Sequence, residues 1–161
     1  MAGSSEPLRF VRVKRSEHFR FNLIELHYFV ESEGGVAMPF GRANIVSDLF
    51  VIPYVLLAEV IFFRAERFYI KTEEHVVGVI VLRDKPGHLD IASLGVAAEY
   101  RRMGIAACAL RFAEEAAARL GEKRLQLSVL KRNLPAQRLY LKFGFFPTKK
   151  MQWSLIMRKT L

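Results

Sequence analysis

The sequence predicts an α/β fold in which a mostly antiparallel sheet packs against helices. Three observations indicate this class. Apolar residues recur at helical spacing in the first third of the chain, they alternate with polar residues from about residue 68, and a long helical pattern then separates two further alternating segments. The chain has 161 residues, 52% of them hydrophobic, which suits one domain with a buried core.

The N-terminal third is predicted to contain one short strand and two helices. The strand covers Arg9 to Val13, and Ser16 is a suitable N-cap for the helix that follows. The glycine pair at residues 34–35 ends that helix, and a second, very apolar helix over residues 47–66 is entered or kinked at Pro53. The apolar residues of the first helix recur three to four positions apart: Phe19, Leu23, Leu26 and Val30.

The most apolar stretch, Leu49 to Phe63, is fifteen residues long. A bilayer-spanning helix needs about 20 apolar residues, so we interpret the stretch as a buried helix or as a contact between the subunits of a homodimer. The N-terminus lacks the layout of a signal peptide, and Cys108 is the only cysteine, which excludes an intrachain disulfide. These features predict a cytoplasmic protein without a membrane span.

Three strands follow, each bounded by polar turn residues. The first two cover Phe68 to Thr72 and His75 to Arg83, with a tight turn at residues 73–74 between them. The segment Asp84 to Gly87 has the composition of a turn. His88 to Val96 is predicted as the third strand of this group.

The C-terminal half is predicted as helix, strand, helix and strand. A helix ends at Gly121, a strand covers Arg124 to Leu130, and a short helix has Pro135 in its first turn and Gly144 after its last. The face of the long helix is formed by Ala106, Leu110, Ala113, Ala117 and Leu120. The closing strand is indicated by alternating Met151, Trp153, Leu155 and Met157.

The positive charge lies in the second half of the chain. Residues 1–82 hold nine Lys/Arg and ten Asp/Glu, whereas residues 83–161 hold sixteen and six. The basic half is therefore expected to attract a polyanion: a phosphorylated cofactor, a nucleic acid or an anionic membrane. No two histidines have the spacing of metal ligands, so no metal site is predicted.

The segment from Leu94 to Ala106 has the pattern of a strand, a turn and the start of a long helix. The first turn of a helix offers unpaired N–H groups and partial positive charge, which together bind anions. Gly104 allows a bulky diphosphate to approach the backbone. Arg101 and Arg102 add positive charge, and Ala106 keeps the next contact small.

A second motif, Asn133 to Phe145, follows about thirty residues later. Together the two segments resemble the hallmarks of the GNAT acetyltransferase family, Gln/Arg-x-x-Gly-x-Gly/Ala and Asn-x-x-Ala-x-x-x-Tyr-x-x-x-Gly-Phe. The resemblance covers residues 68–158 well and the first 67 residues in outline. It implies one acetyltransferase domain over residues 1–161, in which 1–67 form the acceptor side and 68–161 the cofactor-binding core. The implied sheet has six or seven strands, about four flanking helices and a splay at the cofactor-binding strands.

The resemblance also implies how acetyl-CoA, the acyl donor, would be held. The backbone of Leu94 and Val96 would pair with the pantetheine arm, and Gly95 would ease a bulge in this strand. Asn133 would cap its helix or bind the same arm. The pyrophosphate would lie on the turn formed by Arg101, Arg102, Met103, Gly104, Ile105 and Ala106. The small side chain of Ala136 would permit close approach of the cofactor. Tyr140 lies one helical turn further on, on the same face.

Two side chains are predicted to carry the chemistry. Tyr140 is placed to hydrogen-bond or protonate the departing thiolate. Asp90 is the first candidate for the base, acting through a bridging water, since some members of the family carry a glutamate at this position. The alternative for Asp90 is a solvated or salt-bridged carboxylate of the strand. His88 is the second candidate, because imidazole titrates near neutral pH, and His27 is a further residue in reach of the acceptor pocket.

The predicted function is transfer of an acetyl group from acetyl-CoA to a primary amine of a small molecule, peptide or protein. Glu25, Glu31 and Glu33 would attract a cationic acceptor, or form a solvated helix face. The alternative function is a non-catalytic acyl-CoA-binding regulatory module. A nucleic-acid-binding protein is the third hypothesis, but the chain lacks a helix-turn-helix, aromatic RNA-binding signatures and a basic tail.

Overall fold

The computed structural model describes residues 7–18, 20–25 and 64–161, which form a seven-stranded sheet with three α-helices. The strands are β1 (Arg9–Arg12), β2 (Glu66–Lys71), β3 (Val76–Lys85), β4 (His88–Val96), β5 (Arg124–Leu130), β6 (Phe146–Lys150) and β7 (Ser154–Thr160). The helices are α1 (residues 20–25), α2 (Ile105–Arg119) and α3 (Leu134–Lys142), and short 3-10 helices cover Arg15–Glu17 and Ala98–Tyr100.

The strands lie in the order β1-β2-β3-β4-β5-β7-β6, and every neighbouring pair except one is antiparallel. The exception is β4 and β5, which run parallel. Helix α2 connects these two strands, as expected because parallel neighbours need a crossover connection. The predicted fold class, a mixed and mostly antiparallel sheet with flanking helices, is confirmed.

The parallel pairing of β4 with β5 is short. It joins Leu89, Asp90 and Ile91 to residues 125–127 and goes no further, although β4 continues to Val96 and β5 to Leu130. Beyond Ile91 the two strands therefore share no ladder hydrogen bonds, and the Val96 carbonyl oxygen at the end of β4 accepts a hydrogen bond from Arg101 Nε instead. The splay of the strands implied by the family resemblance stays a prediction, and this early end of the ladder supports it.

Alternating residues of the strands build two apolar clusters on opposite faces of the sheet. On the first, called here the α2/α3 face, Ile80 and Leu82 of β3 pack with residues of α2 and with Leu127 of β5. On the second, called here the α1 face, Val79 and Val81 pack with Phe21, Tyr69 and Ala97. The sheet is thus covered on both sides, and a side chain of β4 can point to either cluster.

Two predicted strands have the predicted bounds, the other four are shifted at one or both ends, and the sequence pattern does not indicate β6. Strands β4 and β5 begin and end at the predicted residues, whereas β3 extends two residues further, to Lys85. All five residues of β6 are exposed, so this edge strand has no alternation of buried and exposed positions to reveal it. The closing strand begins at Ser154, after Trp153, which is exposed.

The predicted face of α2 is confirmed at Leu110, Ala113 and Ala117, which are buried, whereas Ala106 is half-buried. Of the residues predicted for the first helix face, Leu23 is half-buried, and the others lie outside the described residues. In α1 the buried residues are Phe21, Asn22 and Glu25, because Phe21 packs against the Tyr69 ring with centroids 5.3 Å apart. In α2 Leu120 is 53% exposed beyond the last turn. The residues that α2 buries are Ile105, Ala109, Leu110, Ala113, Ala116 and Ala117.

Three further predictions concern the first 66 residues. The residue at the N-cap position of the first 3-10 helix is Lys14 rather than Ser16. Strand β2 begins at Glu66, so the apolar helix predicted over 47–66 cannot reach its last residue. Residues 64–65 are also not helical, and residues 47–63 of that helix, including Leu49 to Phe63, lie outside the described residues. In the part of the chain that is described, no helix is long and apolar enough to cross a membrane.

Candidate active site

The turn between β4 and α2 places an exposed glycine at the start of a long helix. Gly104 is the N-cap of α2 and has φ 82°, and Arg102 also has a positive φ, 68°. A Cβ at Gly104 would meet nothing within 4 Å, so the backbone conformation, rather than crowding, accounts for the glycine. The backbone of the turn is therefore exposed at Gly104.

The first turn of α2 has the features of an anion site. It contains no acidic side chain, and no side chain caps it. The N–H groups of this turn have no partner within the helix, and the helix dipole adds partial positive charge. Ile105 is buried beneath the turn and anchors it to the α2/α3 face.

Arginine side chains frame this turn in different ways. Arg101 donates a hydrogen bond from Nε to the Val96 carbonyl oxygen at 3.0 Å, so part of its guanidinium ties the turn to the end of β4. Arg102 is exposed, as is Met103. Arg101 therefore shapes the turn, whereas Arg102 and Met103 lie on the surface that faces solvent.

Strand β4 carries a bulge at Ala92, not at Gly95. Val81 pairs with Ser93 and Leu82 pairs with Ile91, which leaves Ala92 as the extra residue. Gly95 is in regular register with Val79. The expectation that Gly95 eases the bulge is therefore wrong, because the irregularity lies three residues earlier, directly after the last residue that pairs with β5.

The structure brings five predicted residues together on the α2/α3 face. Ile105 and Tyr140 are buried in that cluster, and Leu94, Val96 and Ala136 pack against it half-buried. They come from the end of β4, the start of α2 and helix α3. Residues far apart in the sequence thus converge on the region where β4 and β5 no longer pair.

Asn133 caps helix α3. Its Oδ1 accepts a hydrogen bond from the Ala136 backbone N–H at 3.2 Å. The same turn is tied to β5 by Gln137, whose Nε2 donates to the carbonyl oxygens of Leu130 and Lys131. The cap is one of the two roles predicted for Asn133, and contact with a pantetheine arm stays a prediction.

Substitutions at Asn133 separate these two roles. Asn133→Ala is expected to lower the free energy of unfolding by about 1 kcal/mol, because the cap is lost. Asn133→Asp keeps an accepting oxygen and is expected to retain most of that stability. Urea unfolding of the two variants measures this difference, and equal destabilisation by both would contradict a capping role.

Tyr140 is buried at 8% exposure, and its ring lies 5.9 Å from that of Phe145 at a tilt of 59°. Burial raises the pKa of the Tyr140 phenol from 10.0 to about 12. The side chain therefore remains protonated at neutral and mildly alkaline pH. In this state it can donate a hydrogen bond to a developing negative charge.

Asp90 is buried in an ion pair. Its Oδ2 accepts hydrogen bonds from Arg83 Nη2 at 2.6 Å and Nε at 3.1 Å, and Lys85 Nζ lies 3.5 Å away. These contacts are those of a structural salt bridge between β3 and β4.

Of the other two base candidates, His88 is the first residue of β4 and lies at the β3–β4 hairpin, away from the turn. His27 is outside the described residues.

Glu25 was predicted only as one of three carboxylates that attract a cation, and the structure places it in a buried position. It is 5% exposed, and its side chain is hydrogen-bonded to Ser93 of β4. The burial of Glu25 could have been inferred from the sequence, because Glu25 follows Phe21 by four residues and this spacing puts both side chains on one helix face. Glu31 and Glu33 lie outside the described residues.

An open cavity of about 300 Å³ lies near β1 and the start of β2. Its lining includes Arg12, Arg15, His18 and Arg67, which gives it a basic character. None of the predicted site residues lines this cavity. The predicted site is instead the surface where the ends of β4, α2 and α3 meet.

Solved structures share this architecture. An N-acetyltransferase named PaiA from Thermoplasma acidophilum, in complex with coenzyme A, has TM-score 0.76 and 15% identity over 96% of this chain and 99% of that one. A GNAT family acetyltransferase from Elizabethkingia anophelis with acetyl-CoA bound has TM-score 0.66 and 16% identity over 96% and 98%. An acetyltransferase from Thermus thermophilus has TM-score 0.70 and 16% identity over 96% and 97%.

The sequence comparisons identify the family. No curated protein matches the chain. The family model described as the acetyltransferase (GNAT) family matches residues 47–145, more than half of the sequence, and spans both predicted motifs up to Phe145. The predicted acyl donor, acetyl-CoA, is the donor that this family uses. The chain belongs to the GNAT acetyltransferase family.

Proposed function

We propose that the protein is an N-acetyltransferase that moves the acetyl group of acetyl-CoA to a primary amine of a small molecule, peptide or protein. One observation carries the proposal: the end of β4 has no ladder bonds to β5, and a short 3-10 helix and a turn connect it to the uncapped start of α2. An unpaired strand edge suits the amide groups of a pantetheine arm, and a helix N-terminus that follows it suits a pyrophosphate.

The basic turn would hold the phosphates of the donor. N–H groups at the start of α2 would bind the pyrophosphate, with Arg102 adding charge from the surface. The backbone of Leu94 and Val96 would pair with the amide groups of the arm. Ala136 at the start of α3 is half-buried, and its small side chain would permit this approach.

In this mechanism the amine nitrogen attacks the thioester carbonyl carbon, a C–N bond forms, the C–S bond breaks and the sulfur leaves as a thiolate. We assign Tyr140 the role of hydrogen-bond donor to that sulfur. With the phenol pKa at about 12 and an ordinary thiol at about 8.5, complete proton transfer would be uphill by about 5 kcal/mol. A donated hydrogen bond stabilises the thiolate without that cost.

Positioning supplies a further part of the rate. Two substrates held in contact react with effective molarities of about 10⁵ M or more in well-oriented cases. We propose that residues 1–67 form the acceptor side and residues 68–161 the donor-binding core of a single domain.

Two measurements on the purified protein test this function. Calorimetric titration with acetyl-CoA tests donor binding. Release of CoA thiol is then followed with methylamine, spermidine and a lysine-containing peptide as acceptors. Micromolar binding with amine-dependent thiol release would support the proposal. Binding with no release above the blank for any acceptor would favour the acyl-CoA-binding regulatory module instead.

A further inference from the structure

Glu25 is an acidic side chain buried against the sheet. It lies on α1 with Phe21 and Asn22, on the face of the helix that packs over the α1 face of the sheet. Its carboxylate is hydrogen-bonded to the Ser93 side chain, and its Oε2 is buried without a hydrogen-bond partner among the described residues. A buried carboxylate oxygen left without a partner lowers stability.

The position of Ser93 links Glu25 to the proposed transfer point. Ser93 follows the bulge residue Ala92 and precedes Leu94, whose backbone is proposed to hold the donor. The β4–β5 ladder has already ended at Ile91. Glu25 therefore lies over the stretch of β4 that no longer pairs with β5.

Glu25 and Tyr140 approach this stretch from opposite sides of the sheet. Tyr140 belongs to the α2/α3 face, while Glu25 packs with Phe21 on the α1 face. In a direct attack, the incoming amine and the departing sulfur occupy different positions around the carbonyl carbon. A carboxylate on one face and a phenol on the other match these two positions.

Asp90 is less suited to receive a proton from an ammonium group. Its carboxylate is bound by the Arg83 guanidinium and faces Lys85, so an approaching cation would meet two positive charges. Glu25 is contacted by the neutral Ser93 hydroxyl, and the charge of Arg67 on β2 also acts on it. Desolvation by burial raises the pKa of Glu25, against the smaller opposing effects of Ser93 and Arg67. This direction makes the carboxylate a stronger base at neutral pH.

We propose that Glu25 is the general base of the reaction and takes a proton from the ammonium group of the acceptor. This inference rests on the proposed function. The neutral amine then attacks the thioester, the C–N bond forms and the C–S bond breaks. The sulfur leaves as a thiolate next to Tyr140, and the second N–H proton of the adduct goes to that thiolate, giving free CoA thiol and the amide.

The test compares two small acceptors with the Glu25→Gln variant. Methylamine is protonated at pH 7 and needs a base, whereas methoxyamine is already neutral. Glu25→Gln is expected to lower kcat/KM for methylamine by about 100-fold or more and to leave methoxyamine within about threefold. Asp90→Asn and Glu115→Gln, the latter an exposed carboxylate on α2, are measured in parallel.

Each other outcome overturns the proposal. Equal losses for both acceptors would mean that Glu25 only supports the structure. A methylamine-selective loss in Asp90→Asn but not in Glu25→Gln would make Asp90 the base. Wild type that binds acetyl-CoA but accelerates neither acceptor would also overturn it, whereas wild type that fails to bind acetyl-CoA would overturn the proposed function itself.

Stability provides a second, independent measurement. Because the folded pKa of Glu25 is raised above 4.5, its contribution to stability is complete below pH 4.5 and is lost as pH rises through the folded pKa. Glu25→Gln, which cannot ionise, is therefore expected to have a higher Tm than wild type at pH 7 and a similar Tm near pH 4. A lower Tm at pH 7 would identify a structural role and contradict the proposal.

Discussion

Gly104→Glu is expected to weaken acetyl-CoA binding by at least about 100-fold, which is about 2.7 kcal/mol. The new carboxylate would stand at the N-cap of α2, where the pyrophosphate is proposed to bind, and would repel it. A Cβ at this position meets no neighbour within 4 Å, so the cost of the substitution to the fold is the strain of the positive φ rather than a clash of the Cβ. Calorimetric titration with acetyl-CoA measures the loss.

Gly121→Glu is a matched control for this experiment. Gly121 follows the other end of α2, also has a positive φ, 73°, and also has open space around a Cβ. Both variants therefore carry the same charge and a similar backbone strain of roughly 1–2 kcal/mol. Gly121→Glu is expected to bind acetyl-CoA like wild type. A Gly104→Ala variant, which has the strain without the charge, separates the two effects at the turn.

The outcome bears directly on the proposed donor site. Loss of binding in Gly104→Glu alone would support the turn as the pyrophosphate site. Equal affinities for Gly104→Glu and wild type would show that acetyl-CoA binds elsewhere, and the basic half of the chain would then need another anionic partner.

Tyr140→Phe is expected to lower kcat by about 100-fold while leaving the affinity for acetyl-CoA within about twofold. The hydroxyl is proposed to stabilise the leaving thiolate, an interaction that strengthens only as the C–S bond breaks. The ring remains, so its contact with Phe145 and its place in the core are kept. Thiol release with the fastest acceptor found for wild type gives kcat, and calorimetry gives the affinity.

A second aromatic substitution checks that this effect is specific. Tyr100→Phe removes a hydroxyl from a half-buried tyrosine in the 3-10 turn after β4. It is expected to change kcat by no more than about threefold. If Tyr140→Phe were as active as Tyr100→Phe, departure of the sulfur would not depend on a hydrogen bond from Tyr140, and the role proposed for this residue would be wrong.

The two proposed catalytic groups differ in the proton transfer that burial favours. Burial keeps Tyr140 protonated because it raises the phenol pKa to about 12. Burial also raises the pKa of Glu25, although the Ser93 hydroxyl and Arg67 act in the opposite direction. The protein would thus present a proton donor on one face of the sheet and a proton acceptor on the other.

Local features of the sequence were sufficient to predict the local structure of the segment that is proposed to bind the donor. Both features of this segment depend only on neighbouring residues. The turn depends on the positive φ of Gly104, and the cap depends on the Asn133 side chain, which accepts a hydrogen bond from the backbone N–H three residues later. Strands β4 and β5 could be bounded because turn residues flank them and because β5 alternates buried and exposed positions. Two motifs at a characteristic separation then indicated the family.

Only the tertiary structure decided the features that depend on distant parts of the chain. The exposed edge strand β6 forms because β7 pairs with it, not because its own residues favour burial. Asp90 is engaged by Arg83 because an antiparallel register sets the two residues opposite each other. Glu25 is buried because α1 packs over the bulge of β4, a contact between residues 68 positions apart. Periodicity describes one element at a time, whereas the partner of a charged side chain is set by how the elements pack together.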